Sequence, residues 1–425
     1  MLQQRQLLQM EYEYDKECFT RQSDLISIVK KVASGICWFP VSIGHSHFNT
    51  LNQYVVELNR CENLEMEHAF EYGKPIEFFA VDMSGMVRSI QLSAQVSYVD
   101  ENTMVVTLPN QSALAQLETN GRLGVQLAFD ETSYQAMFEA LNAVVNAKGN
   151  RLAELRDVLL GVQKPTMANV YPVRFPWLNP AQEKAVNKVL MGRDVAIVHG
   201  PPGTGKTTTL VEAIYETLRR ETQVLVCAQS NMAVDWISEM LVDRGINVLR
   251  IGNPTRVNDK MLSFTYERRF ESHPKYDSLW GIRKNIRELH KKKKGAQDRG
   301  ALQDKILKLK ETAESLELEI RESLFSEARV IACTLVGSSN RLLMGKRFSS
   351  LFIDEAAQSL EAACWIAIAK TDRVVLAGDH CQLPPTIKCI EAARKVGCSK
   401  FDSKSCSKTR LFNGKMQSNR LAAKA

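Results

Sequence analysis

"DVAIVHGPPGTGKTTTLVEAIYETL" occupies residues 194–218. An apolar strand runs into Gly200, a loop of Gly and Pro follows, and helical spacing begins at Lys206. Residues 200–207 satisfy G-x-x-x-x-G-K-[ST], a pattern that wraps successive backbone N–H groups around phosphate oxygens. Side chains would obstruct that wrap, so Gly203 and Gly205 supply the freedom, while the following helix turns its positive dipole end toward the anion. Lys206 brings a charge to the β- and γ-phosphates, and the Thr207 hydroxyl is a ligand for Mg²⁺. Gly200, Pro201, Pro202, Thr204 and Thr208 complete the expected cradle. The competing reading is a mere tight turn, but the strand before and the helix after are the context that the motif requires.

Working outward, the same alternation continues: strand "QVLVCAQ", helix "MAVDWISEMLVDRG", strand "VLRIG", then "ARVIACTL", "SLFIDEA", "SLEAACWIAIAK" and "RVVLAGD". Near-continuous apolar strands between helices predict an α/β domain with a parallel sheet covered on both faces. We place it at 171–388, with a helical insertion at about 256–327 whose two charged stretches read as an antiparallel pair. The "KKKK" run at 291–294 is either a solvated helix end or a phosphate contact. Upstream lie a helical arm at 1–34, ended by Gly35, and short strands such as "QYVVEL" and "TMVVTL" that predict a small β-barrel at 35–130. A helical stalk and Pro-punctuated linker at 131–170 lead into the α/β domain. Residues 389–425 read as a basic, poorly ordered tail.

"LFIDEAAQ", residues 351–358, ends another apolar strand with two carboxylates. Asp354 is placed to hold Mg²⁺, and Glu355 to orient and deprotonate an attacking water. An acid pair after a strand is common by itself; joined to the glycine loop it points to nucleotide hydrolysis.

The totals are those of a globular chain, with 44% hydrophobic and 24% charged residues. No apolar run reaches the roughly 18 residues of a membrane span, and the N-terminus lacks the apolar centre of a secretory signal. The cysteines, scattered without C-x-x-C pairs, imply reduced thiols and a cytoplasmic setting. Cys381, Cys389, Cys398 and Cys406 are nearly evenly spaced, and His45 and His47 share a strand face, but neither set has the paired ligands of a zinc site. The net charge of +7 is concentrated at the end of the chain, where Thr386 onward holds 10 Lys+Arg against 2 Asp+Glu. It therefore carries no argument about the folded body.

The ordered set "LNPAQ" (178–182), "GPPGTGKTTT" (200–209), "AQSNMAVD" (228–235), "IACTLVG" (331–337), "DEAAQ" (354–358) and "LAGDHCQLPP" (376–385) resembles superfamily 1 helicases. The nonsense-mediated-decay and immunoglobulin-mu-binding-protein helicases represent the kind. The resemblance covers roughly 170–388 and extends more weakly into the barrel. It implies a RecA-like P-loop domain that uses ATP and Mg²⁺ to move 5′ to 3′ on single-stranded DNA or RNA. It also implies that Gln182 reads the adenine edge beside Asn179 and Pro180, and that Gln358 and Gln382 sense the γ-phosphate or its water. Ser230, Asn231, Thr334 and Gly337 fall where the family contacts the strand's backbone; for Asp235, contact and structural roles are left open. Each of these could instead be a helix cap or a satisfied loop group.

In the family a second RecA-like domain follows and supplies arginines to the transferring phosphate. None of its motifs appears after Lys388, so a truncated chain of weak activity, needing that half or a partner, is expected. Two other readings stand beside this one: a nucleic-acid-binding or regulatory module in which ATP is only structural, and a clamp-loader-like ATPase, which the "DEAAQ" and "GDHCQLPP" pairing disfavours.

Overall fold

The structure, a computed structural model, describes all residues except 25–26, 119–120, 294–298, 397–421 and 425. The described chain forms two compact units. One comprises Met1–Tyr14, Thr132–Ser272 and Glu319–Ala425; the other comprises Asp15–Glu131 and His273–Leu318.

The second unit is built on a closed barrel of six antiparallel strands. They are β1 (Cys37–Phe48), β2 (Tyr54–Arg60), β3 (Pro75–Val81), β4 (Val87–Val99), β5 (Thr103–Leu108) and β6 (Arg122–Leu127), joined in the order β1-β2-β5-β4-β3-β6. Period-two alternation puts Met104, Val106 and Leu108 of β5 inside, where they meet Trp38, Val56, Leu58, Ile76, Phe78 and Val125. Gly124 on β6 is required by packing: a Cβ there would lie 2.3 Å from the Phe79 ring.

Two long helices, Tyr276–Lys293 and Arg299–Glu327, occupy the later part of the 256–327 stretch. Gly300 lies inside the second helix, and Lys294 lies outside the described residues, as do Cys398 and Cys406. Although the pair interrupts the α/β sequence, its His273–Leu318 part clusters with the barrel. Tyr276 Oη donates to the Thr50 carbonyl at 3.2 Å, and Arg287 donates to Asn52 Oδ1 at 3.3 Å. The same guanidinium lies 5.1 Å from the Phe48 ring centroid and 4.7 Å from that of Trp280. No sequence pattern announces this joint, because its members are more than two hundred residues apart.

The first unit holds a parallel sheet. Its strands are β7 (Val195–His199), β8 (Val224–Ala228), β9 (Val248–Arg250), β10 (Val330–Thr334), β11 (Ser350–Asp354), β12 (Val374–Gly378) and the short β13 (Ala422–Lys424), in the order β13-β7-β12-β11-β8-β10-β9. Every residue of β8, β11 and β12 is buried, as expected of strands covered on both faces. All pairs are parallel, so the loops after β7, β8, β10, β11 and β12 emerge on one rim, where such sheets bind ligands. Asp194 anchors the start of β7 by accepting Arg151 Nη2 at 2.6 Å and Thr166 Oγ1 at 2.7 Å.

The tail departs from expectation over its first residues. Lys388 and Cys389 donate their backbone N–H groups to Glu11 at 2.6 and 2.9 Å, and the helix Ile390–Val396 follows. A carboxylate at a helix start satisfies orphan donors and complements the dipole, and Ala392 packs on Leu7. Residues 397–421 lie outside the described set, and Ala422–Lys424 pairs parallel with β7. Among the described residues no helix is long and apolar enough to cross a membrane.

Candidate functional site

The loop after β7 takes the conformation that its glycines were expected to permit. Gly203 and Gly205 sit at φ +77° and +78°, in the left-handed region, and the helix Lys206–Leu218 starts at once. Thr204 Oγ1 donates to the Pro201 carbonyl at 2.8 Å and Lys206 Nζ to the same oxygen at 3.2 Å, which curls the loop on itself. Gly200 N–H donates to the Gly378 carbonyl at 3.4 Å, tying the loop's start to the end of β12. Pro202 and Thr208 are exposed on the loop and the first helical turn.

Asn179 and Gln182 form a reciprocal cap at the start of helix Pro180–Met191: Gln182 N donates to Asn179 Oδ1 at 2.8 Å, and Asn179 N donates to Gln182 Oε1 at 3.1 Å. The Gln182 amide also donates to the Thr204 carbonyl at 3.1 Å. Asn179, Pro180, Ala181, Gln182, Gly203, Thr204 and Gly205 line an open cavity of about 640 Å³. A cavity between this cap and the glycine loop has the size of a ligand pocket.

Thr207 and Asp354 come together from opposite ends of the domain's sequence, with Thr207 Oγ1 donating to Asp354 Oδ2 at 3.1 Å. Asp354 ends β11 and is 4% exposed; burial pushes its carboxyl upward, against the Glu355 amide, the Thr207 hydroxyl and Lys206. Glu355 follows at φ +50°, a left-handed backbone that persists in a non-glycine residue only where its surroundings hold it. Here Gln358 N–H closes the turn by donating to the Glu355 carbonyl at 3.0 Å. Burial, and then the neighbouring Asp354, raise the Glu355 carboxyl, which makes it a stronger base. Gln358 Nε2 faces Gln382 Oε1 at 3.4 Å, and Gln382 N–H donates to the Asp379 carbonyl at 3.2 Å. The two glutamines expected to sense a terminal phosphate are thus neighbours.

The strand-contact candidates stand on the same rim, after β8 and its neighbour β10. Ser230 caps the helix Asn231–Val242, its hydroxyl accepting Ala233 N–H at 3.1 Å, and remains exposed. Thr334 Oγ1 accepts Gly337 N–H at 3.0 Å, and a Cβ on Gly337 would lie 2.8 Å from that oxygen. Asp235 is a structural residue. Arg250 Nε donates to its Oδ1 at 2.8 Å and Asn258 N–H to its Oδ2 at 3.0 Å, with Asp235 and Arg250 both buried. Arg250 Nη2 also donates to Asn231 Oδ1 at 2.8 Å, which pins that amide's oxygen. Sequence reasoning missed Arg250; the signal was an arginine closing the apolar strand "VLR".

Residues 177–389 match the family of the AAA domain, a span that contains every site residue named above. The DNA-binding protein SMUBP-2 of Rattus norvegicus is 30% identical over 413 residues, which cover 92% of this chain and 41% of that protein. The Regulator of nonsense transcripts 1 homolog of Arabidopsis thaliana is 33% identical over 290 residues, 65% of this chain and 22% of its own length. The chain belongs to the superfamily 1 helicases. A further relative, the DNA polymerase alpha-associated DNA helicase A of Schizosaccharomyces pombe, is 37% identical over 50% of this chain and 32% of its own. The superfamily 1 chain described here therefore spans less than half the length of each of these relatives.

Proposed function

We propose that residues 171–388 are a RecA-like motor domain that binds Mg-ATP and hydrolyses it in response to single-stranded DNA or RNA. The observation that carries this reading is the meeting of the Thr207 hydroxyl and the Asp354 carboxylate at 3.1 Å beside the glycine loop. These are hard oxygen donors, the kind that Mg²⁺ takes in few numbers while keeping several waters, so the residues fit that ion. Mg²⁺ would neutralise charge on the β- and γ-phosphate oxygens. The loop's backbone N–H groups and Lys206 grip the phosphates, and the Asn179–Gln182 cap closes one side of the base pocket. Glu355 accepts a proton from water, and Gln358 with Gln382 report on the terminal phosphate to the rim where Ser230, Asn231, Thr334 and Gly337 meet the strand. Strand separation requires a second RecA-like body, on this polypeptide or a partner, that moves when the phosphate is lost.

The test is phosphate release from Mg-ATP with and without a single strand. Release stimulated by the strand is expected. Lys206→Ala should abolish it, and Glu355→Gln should lower it by at least about a hundredfold with nucleotide binding retained. Release unchanged by Glu355→Gln would favour the alternative in which ATP only stabilises the fold.

A further inference from the structure

We propose that His199, Asp379 and His380 form a binding site for one transition-metal cation of the zinc class. The site joins the strand that enters the phosphate loop to the turn that carries Gln382. Parallel pairing of β12 with β7 sets Gly378 opposite His199, so the residues just after Gly378 emerge beside the imidazole. His199 Nε2 lies 3.2 Å from Asp379 Oδ1 and 2.9 Å from His380 Nδ1, and the three ligand atoms all fall within 4.8 Å of one another. In a tetrahedral zinc site with bonds of about 2.0–2.1 Å, ligand atoms sit roughly 3.3 Å apart. Two of the three edges therefore need only a few tenths of an ångström of adjustment.

The surroundings suit such a site. Asp379 is 5% exposed and its Oδ1 accepts Cys381 N–H at 3.0 Å, which fixes the carboxylate. His380 Nε2 lies 3.5 Å from Cys381 Sγ; donation of the Nε2 proton to sulfur leaves the Nδ1 lone pair facing His199 and Asp379. Both imidazoles are half-buried, and Asp379 between them is buried. Two nitrogens and one carboxylate oxygen favour zinc, cobalt, nickel or copper over magnesium, which prefers an all-oxygen shell and has its own donors in Thr207 and Asp354. The competing account, a hydrogen-bonded trio with no ion, uses the same contacts and is the outcome that the experiment separates.

A cation here would fasten the residue before Gly200 to the residue whose carbonyl accepts the Gln382 N–H. Its effect on nucleotide affinity rests on the reading of Gln382 given above and must be reciprocal, each ligand changing the other's affinity by one factor. Binding itself does not depend on that reading.

The tag-free full chain is titrated with Co²⁺, followed by its visible absorption, and with Zn²⁺ by calorimetry, in excess Mg²⁺ without nucleotide. One Co²⁺ per chain is expected, with the strong bands of a four- or five-coordinate centre that Zn²⁺ displaces. His380→Asn and His199→Asn, which keep hydrogen-bonding capacity, should each weaken binding at least about tenfold. Asp354→Asn should leave it unchanged. Absence of saturable binding, bands that survive in the double histidine variant, or bands lost in Asp354→Asn would overturn the assignment. Mg-ATP binding by the same preparations, and its loss in Lys206→Ala, is read in parallel, so failure of the metal site is distinguishable from failure of the nucleotide site.

Discussion

Arg250 and Asp235 offer the sharpest test of how the rim is built. Asp235→Leu leaves a guanidinium that is 0% exposed with, among the described residues, only the Asn231 amide oxygen and the Ile251 carbonyl as acceptors. Arg250→Leu leaves the Asp235 carboxylate buried with, among the described residues, the Asn258 N–H alone. Removing one member of a buried pair costs about 3–5 kcal/mol, because the survivor's desolvation is no longer compensated. At roughly 2–4 °C per kcal/mol for a domain of 150–250 residues, each single variant should melt about 6–20 °C lower. The double variant Asp235→Leu with Arg250→Leu should cost clearly less than the sum of its singles, with a coupling above about 1.5 kcal/mol. Denaturant melts of the four chains measure the cycle. Additive losses, or singles costing under about 1 kcal/mol, would refute the view that Asp235 is a structural partner and return it to the strand-contact candidates.

Gly205→Ala places a Cβ at φ +78°, 2.6 Å from the Gln182 amide nitrogen; a strain of about 1–2 kcal/mol should weaken Mg-ATP binding roughly tenfold by calorimetry. Burial raises the Glu267 carboxyl from 4.5 to about 7, and its Oε2 has no hydrogen-bond partner among the described residues. The folded chain thus holds a proton there that the unfolded chain releases, and stability falls as pH rises from about 4.5 through 7. Glu267→Gln should match the parent near pH 4.5 and exceed it by up to about 3 kcal/mol above pH 8, read from urea midpoints; no pH-dependent difference would dismiss the shift. Arg287→Ala removes two ring contacts and the Asn52 bond, and should speed amide exchange in Tyr276–Lys293 about tenfold.

The parts legible in the sequence are those governed by local rules. Apolar runs such as "VLVCA" read as buried parallel strands because water is absent from both faces, and "TMVVTL" reads as a barrel strand because side chains alternate. The backbone of the glycine loop was legible too, since positive φ at Gly203 and Gly205 is a demand on single residues. Less legible was the tail, where Glu11 caps a helix that composition alone had assigned to disorder.

Local sequence rules account for the glycine loop after β7, the strand and helix series around it, the barrel, and the order of motifs that marks a superfamily 1 helicase. Tertiary structure alone decided which distant groups meet: Thr207 with Asp354, Arg250 with Asp235 and Asn231, the barrel turn with Arg287, and His199 with His380. The physical reason is range. Backbone conformation and side-chain period act over a few residues, whereas ion pairs and ligand sets form wherever crossover connections bring strand ends to a common rim.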